Sequence, residues 1–378
     1  MASAPGPRAT LPAAEPTGGR GDDRRAGGAR ARDGVRPARL EPWQLLVGVV
    51  FLVGAALAAL VVGPSDLSLS TVLHELLSRV PGLGVHAPRA AADAAIVFQL
   101  RLPRVVLGLL VGGMLALAGA SYQGVFQNPL ADPYLLGVAA GAGLGATVVL
   151  VEIPDAPSWG VNPLPLAAFA GAVLSVAATF ALGRGAGRIR EASTLVLSGV
   201  AVGTFFTAAQ TFLQQRNTLV LANVYSWILG GLATAGWGEV ELIAPYVAVS
   251  AVVLLACRRL LDVVSVGDEE AESLGVRSAR LRLVVVAAAT LGTAAAVSVS
   301  GLIGFVGIIV PHTVRLFLGP SYRRILPLSL LCGGGFLVLC DLLAQNVLAP
   351  GTIPLGVVTA FLGAPFFLVV LRQSRRMG

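Results

Sequence analysis

Residues 98–146 read FQLRLPRVVLGLLVGGMLALAGASYQGVFQNPLADPYLLGVAAGAGLGA and contain two strongly apolar segments joined by a short polar turn. Glycines recur within each apolar segment at every fourth position, which places small side chains on one helix face and lets helix backbones approach closely in lipid. These glycines are Gly108 and Gly112, followed by Gly137, Gly141 and Gly145. The stretch therefore predicts two packed, membrane-embedded helices.

The composition of the whole chain agrees with a membrane protein. Of its 378 residues, 55% are hydrophobic and only 12% are charged, and the mean hydropathy is +0.80. Values of this kind are typical of chains that cross a bilayer. All 27 basic residues are arginine. Because the phosphate-binding motif GxxxxGK[ST] requires a lysine, the chain has no such nucleotide site of its own.

Ten apolar segments are long enough, or nearly so, to cross the ~30 Å hydrocarbon layer as helices. A polytopic all-α membrane domain over residues 43–378 is therefore expected, preceded by a disordered tail over residues 1–42 that is rich in Arg, Gly, Pro and Ala. Residues 68–80 have the spacing of an amphipathic surface helix, and residues 219–231 suit a short interfacial helix. The ten predicted spans are 43–62, 102–122, 134–151, 164–182, 193–213, 240–257, 281–299, 302–318, 325–348 and 353–371.

The arginines are distributed unequally between the two sides that ten spans would define. One side, which includes both termini, collects 21 arginines, whereas the loops of the other side hold five. Loops rich in arginine stay in the cytoplasm. We therefore expect a multi-pass protein of the bacterial plasma membrane with cytoplasmic N- and C-termini.

Three motifs in this chain resemble those of one transporter family. They are RLPR at 101–104, GASYQGVFQNPLADPYLLG at 119–137 and GLIGFVGIIVPHTVR at 301–315. Together they resemble the FecCD/BtuC-like permease subunits of ATP-binding-cassette (ABC) importers for ferric siderophores and vitamin B12, and the resemblance covers residues 43–372.

The resemblance implies a BtuC-like type II ABC importer fold and several partners. A second permease subunit, identical or related, would pair with this one. Two ATP-binding subunits would bind ATP and Mg, so that no cofactor belongs to this chain, and an extracytoplasmic binding protein would deliver the substrate. A ferric siderophore is the expected substrate, with vitamin B12 and haem as the alternatives.

Arg101 and Arg104 lie on the predicted outer side, where arginine is disfavoured. They could simply extend toward lipid phosphates. The resemblance implies that they instead bind glutamates of the binding protein, since guanidinium groups form oriented pairs with carboxylates. Vitamin B12-type relatives have a further arginine late in the ninth helix, where this chain has Gln345, and this difference implies a docking surface that is either less basic or arranged differently.

The loop between the sixth and seventh spans contains GDEEAESLG at 267–275. Acidic residues after a glycine predict the first turn of a short helix, and the later Leu-Gly pair predicts its end. A solvated connector would also explain these charges. The resemblance implies a coupling helix that contacts the ATPase subunit. Its residues are Gly267, Asp268, Glu269, Glu270, Ala271, Glu272, Ser273, Leu274 and Gly275.

Other motif residues are predicted to be structural. In QNPLADP, Asn128 and Asp132 each precede a proline, which favours turns, and Asp132 is expected to cap the third helix. Asp341 lies within an apolar span, where we favour a hydrogen-bonding role over proton transfer. These structural residues are Asn128, Pro129, Asp132, Pro133, Pro311, His312 and Asp341.

Two other function classes are weighed against an ABC permease. A secondary transporter would need several membrane-buried acids near broken helices, whereas Asp341 is nearly alone in this respect. A membrane-embedded enzyme would need a catalytic constellation, yet the three histidines are scattered and no cluster has metal-ligand spacing. We therefore predict a transport subunit that is not an enzyme.

Overall fold

The computed structural model describes residues 40–63, 67–79, 91–153, 162–185 and 192–374. Within these ranges the chain is helical and contains no strand. The tail predicted to be disordered lies almost entirely outside the described residues. The helices are α1 (Pro42–Val61), α2 (Leu69–Ser78), α3 (Ala91–Ala95), α4 (Leu102–Val125), α5 (Val138–Glu152), α6 (Pro163–Gly185), α7 (Ala192–Arg216), α8 (Leu221–Ile228), α9 (Trp237–Val264), α10 (Asp268–Ser273), α11 (Ser278–Ser300), α12 (Val306–Leu318), α13 (Tyr322–Asn346) and α14 (Leu355–Ser374).

Each of the ten predicted spans corresponds to one of these helices, namely α1, α4, α5, α6, α7, α9, α11, α12, α13 and α14. Seven helices in the described part of the chain are long and apolar enough to cross a membrane. Shorter apolar helices cover residues 138–152, 306–318 and 355–370. The predicted surface helix and interfacial helix are also present, as α2 and as α8 with a preceding 3₁₀ turn.

Several of the predicted boundaries were wrong. The sixth span was predicted to end at residue 257, but α9 continues to Val264. The second span starts about ten residues earlier than predicted, because α3 and a π-helical segment (Ile96–Arg101) continue directly into α4. Pro103 has no N–H to donate, and the chain before it widens so that the Leu102 N–H bonds to the Val97 carbonyl. The eighth span is shorter than predicted, because residues 301–304 are not helical and α12 begins only at Val306.

The core of the bundle is built around α4, which is largely buried and packs against α9, α11, α12 and α13. The predicted close approach of glycines is present. A Cβ atom on Gly112 would collide with the Gly333 carbonyl oxygen of α13, and one on Gly119 would collide with the Gly307 carbonyl oxygen of α12. Helices α1, α7 and α9 instead present large apolar side chains outward, as expected of helices that face lipid.

Candidate functional site

Arg104 and Asp341 form an ion pair between α4 and α13. The Arg104 Nε donates to Asp341 Oδ2 at 2.7 Å, and Nη2 donates to Oδ1 at 2.8 Å. The Gln345 amide also donates to Oδ2, at 2.8 Å. The Asp341 side chain is only 8% exposed and that of Arg104 is 22% exposed. This carboxylate therefore has three donors, in agreement with the predicted hydrogen-bonding role.

The predictions above do not pair Arg104 with Asp341, although the sequence contains a signal for this pair. Each was noted as a charge in an unfavourable place, one at the start of an apolar span and the other late in a distant span. A buried charge is costly unless an opposite charge compensates it. Two such charges at the same end of a helical bundle are therefore candidates for a pair, but 237 positions separate them in the chain.

Arg101 makes a different contact. Its Nη1 donates to the carbonyl oxygens of Leu60 at 2.6 Å and Val61 at 2.9 Å. These carbonyls are at the C-terminal end of α1, where backbone acceptors have no partner within the helix and a cation is favourable. Both predicted docking arginines thus contact this chain itself, and their docking role stays a prediction.

A cavity of about 350 Å³ opens beside the ion pair. Arg104 and Asp341 line part of its wall, and the rest is lined by α8 and the loop after it, the end of α11, residues 352–355, and one residue each of α5 and α6. The cavity can hold water or a polar group next to the pair. Its other polar side chains are Asn223, Ser226, Thr234, Ser300 and Thr352.

At the opposite end of α4, the QNPLADP segment forms the predicted turn. The Asn128 side-chain oxygen accepts from the Leu130 N–H at 2.9 Å, and Asp132 Oδ1 accepts from the Tyr134 N–H at 2.8 Å. The prediction that Asp132 caps the third helix was wrong in detail. Asp132 caps a separate 3₁₀ turn (Pro133–Leu136), and Gly137, at φ +84°, divides this turn from α5. Burial raises the pKa of Asp132 to about 6.

Pro311 and His312 lie inside α12. Because Pro311 has no N–H, the Gly307 carbonyl four residues earlier loses its helical donor. The Gln123 amide of α4 donates to this carbonyl at 3.0 Å, and Arg315 in turn donates to Gln123 Oε1 at 3.0 Å. The His312 ring packs edge-on against Phe366. No group of three or more potential metal ligands occurs among the described residues.

The predicted short helix of the 267–275 loop is present as α10. Gly267 precedes it at φ +149°, and Gly275 follows it at φ +82°. Ala271 is fully buried against the core, whereas Glu269, Glu270, Glu272 and Ser273 are exposed. Leu274 is 71% exposed. The outer face of α10 therefore combines carboxylates with an apolar side chain, a composition suited to contact with another protein.

The last turn of α9 is bound to the start of α13 by a contact that the sequence analysis missed. Asp262 accepts hydrogen bonds from the Tyr322 N–H and, at 3.0 Å, from the Ser321 hydroxyl. A carboxylate at this position caps α13 and favours its dipole. The end of the bundle that carries α10 is therefore held together by side chains from several helices.

The chain has clear relatives among known proteins. A cobalamin import system permease protein, BtuC, of Halobacterium salinarum is 39% identical over 366 residues, which cover 89% of this chain and 97% of that protein. A Fe(3+)-citrate import system permease protein, YfmE, of Bacillus subtilis is 36% identical, over 74% of this chain and 83% of that protein.

A solved structure and a family model give the same assignment. The structure, described as an inward-facing conformation of a putative metal-chelate type ABC transporter, is 29% identical with a TM-score of 0.74, over 88% of this chain and 100% of that one. It confirms the predicted helical membrane fold. The model of the FecCD transport family matches residues 49–373. This chain is therefore a multi-pass membrane protein that belongs to the FecCD transport family.

Proposed function

We propose that this chain is the permease subunit of an ABC importer that carries a ferric siderophore across the bacterial plasma membrane. The family match over residues 49–373 carries this proposal. A second permease would complete the pathway, and two ATPase subunits would bind the exposed face of α10. An extracytoplasmic binding protein would deliver the substrate at the end of the bundle that holds Arg101 and Arg104. Both termini of this chain would be cytoplasmic.

The absence of lysine supports a separate source of energy, since the chain cannot form the common phosphate-binding loop. Nucleotide binding and hydrolysis would occur in the ATPase subunits, which would hold both ATP and Mg. The proposed role of this chain is to form the pathway and to respond to the movement of α10.

Cobalamin is a second candidate substrate. The cobalamin permease of Halobacterium salinarum is more similar to this chain than the Fe(3+)-citrate permease of Bacillus subtilis, at 39% against 36% identity. A ferric siderophore and cobalamin are both large metal chelates, so in either case the metal would cross the membrane inside its chelator.

Uptake by a strain that lacks this gene distinguishes the two substrates. We expect loss of accumulation of a ferric hydroxamate labelled with radioactive iron, restoration by a plasmid copy, and unchanged uptake of labelled cobalamin. Loss of cobalamin uptake alone would establish the second candidate. Uptake that survives depletion of ATP but collapses with the proton gradient would contradict an ABC importer and favour a secondary transporter.

The docking role of the arginines needs a control for the ion pair. Substitution of Arg101 and Arg104 by glutamate is expected to abolish transport while membrane insertion persists. Because Arg104→Glu also places two carboxylates together, the matched control is the exchange Arg104→Asp with Asp341→Arg, which keeps an ion pair. If the affinity for the binding protein also falls in the exchanged variant, docking depends on the position of the positive charge. Wild-type uptake in the double glutamate variant would refute the docking role.

A further inference from the structure

Arg282 differs from the arginines near it. It lies in the second turn of α11 and is only 6% exposed, whereas Arg259, Arg277 and Arg280 are exposed. Burial of a guanidinium group is costly unless its charge and its donors are satisfied. The position of Arg282 beneath α10 therefore depends on the groups that it contacts.

The contacts of Arg282 join three helices. Its Nη2 donates to Asp268 Oδ2 at 3.2 Å, and Asp268 is the first residue of α10. Its Nε approaches the carbonyl oxygen of Val125, the last residue of α4, at 3.5 Å. The carbonyl oxygens in the last turn of a helix accept no hydrogen bond from the helix itself. The helix dipole also favours a cation at this end. One guanidinium group thus links the start of α10 to the end of α4.

A second contact ties the same two regions together. Gln127, just after α4, donates from its side chain to the carbonyl oxygen of Val264 at 2.7 Å, and Val264 is the last residue of α9 before α10. The covalent chain connects α10 only to α9 and α11. The side chains of Arg282 and Gln127 therefore form hydrogen-bonded links between the α10 region and the end of α4.

A displacement at this end of α4 would reach the other end. Helix α4 is a continuous helix of 24 residues whose only proline is in its first turn. It packs closely against its neighbours through glycines, and its opposite end carries Arg104, which is paired with Asp341. A packed helix of this kind moves as a unit, because close-packed interiors transmit strain.

We propose that Arg282 is a positioning residue that transmits movement of α10 to α4, and through α4 to the Arg104–Asp341 end of the bundle. This inference rests on the proposed function, in which α10 contacts the ATPase subunit. Asp268 is the partner through which Arg282 follows α10. A role confined to fold stability would leave the response to nucleotide unchanged in a variant that still folds.

The test measures how nucleotide at one end of the bundle changes accessibility at the other. The intact complex with its ATPase subunits is placed in proteoliposomes, with Cys257, Cys332 and Cys340 replaced by alanine. Leu100, which is 64% exposed and precedes α4, is replaced by cysteine. Its rate of labelling by a membrane-impermeant maleimide is compared without nucleotide and with ATP and vanadate.

We expect the two labelling rates to differ by about fivefold or more in the reference protein, the lower end of typical coupling between distant sites. Arg282→Gln should bring the ratio close to one while the ATPase subunits still co-purify, and Arg280→Gln, on the exposed face of the same helix, should keep the full ratio. Asp268→Asn removes the negative charge with which Arg282 pairs, and it does so at the more exposed partner. It should therefore give the same ratio as Arg282→Gln, and it serves as the test if Arg282→Gln folds poorly.

Three results would overturn the proposal. The first is a labelling rate in the reference protein that does not change with nucleotide. The second is a ratio of labelling rates that is as large in both Arg282→Gln and Asp268→Asn as in the reference protein. The third is a ratio that falls as far in Arg280→Gln as in Arg282→Gln. A separate observation would show that the proposed function is wrong. In that case the ATPase subunits would not crosslink to the exposed face of α10, even in the reference protein.

Discussion

The Arg104–Asp341 pair permits a quantitative prediction of stability. Removing one partner of a buried ion pair costs ~3–5 kcal/mol, because the other charge is left uncompensated. Exposed pairs contribute only about 0–1 kcal/mol. With side chains that are 22% and 8% exposed, this pair is nearer to the buried case. We therefore expect Asp341→Ala to lower the free energy of unfolding by about 2–3 kcal/mol.

The two single substitutions should differ in a defined order. Arg104→Ala leaves the more buried member of the pair, Asp341, with only the amide of Gln345 among the donors described above. Asp341→Ala leaves Arg104, which has greater access to water. The loss should therefore be larger for Arg104→Ala. The double variant should lose about 2 kcal/mol less than the sum of the single variants, as residues in direct contact do.

The assay is denaturant unfolding of the purified protein in detergent micelles, with the four proteins of the double-mutant cycle measured under one condition. The chain provides its own control in Arg216 and Glu152, a pair at 3.5 Å whose side chains are 61% and 45% exposed. Glu152→Ala should cost less than about 0.5 kcal/mol. The reasoning is refuted if Asp341→Ala costs no more than Glu152→Ala, or if the cycle gives no coupling.

Three further predictions concern the other end of the bundle and the core. Burial raises the pKa of Asp132 from 3.8 to about 6, so the folded state disfavours its charged form. This rise in the pKa corresponds to ~3 kcal/mol against the charged form, which we reduce to about 1 kcal/mol because Asp132 is only partly buried. Asp132→Asn, which keeps a capping side chain, should therefore raise the melting temperature above pH 6, and the gain should disappear as the pH falls toward 4; a gain independent of pH would contradict this. Gly119→Ala should lower stability by about 1–3 kcal/mol, because its Cβ collides with the Gly307 carbonyl oxygen and α4 and α12 must separate; unchanged unfolding would show that this contact is not tight. A cysteine at the exposed Ser273 should crosslink to a co-expressed ATPase subunit, whereas one at the buried Ala271 should not, and crosslinking measured by gel shift that is equal at both would contradict the packing of α10.

Much of the fold could be predicted because apolar length and spacing are local properties of the chain. Ten apolar segments predicted ten helices, and the acidic residues after Gly267 predicted the start of α10. The boundaries that failed depend on tertiary contacts. Residues 302–305 are apolar enough for a helix, but the backbone N–H and carbonyl of Ile303 both hydrogen-bond to the Tyr134 hydroxyl instead of to helical partners. Gly301, just before them, lies against the Trp227 carbonyl.

The sequence by itself determined that this chain lies in a membrane, that it cannot form the common phosphate-binding loop, and which family its motifs resemble. These conclusions need only composition, hydropathy and short motifs. Which charges meet was decided by the tertiary structure alone. Arg104 pairs with Asp341, and Arg282 contacts both Asp268 and the end of α4, because helix packing brings together residues that are distant in the chain. Electrostatic energy depends on distance in space, and a sequence records only order along the chain.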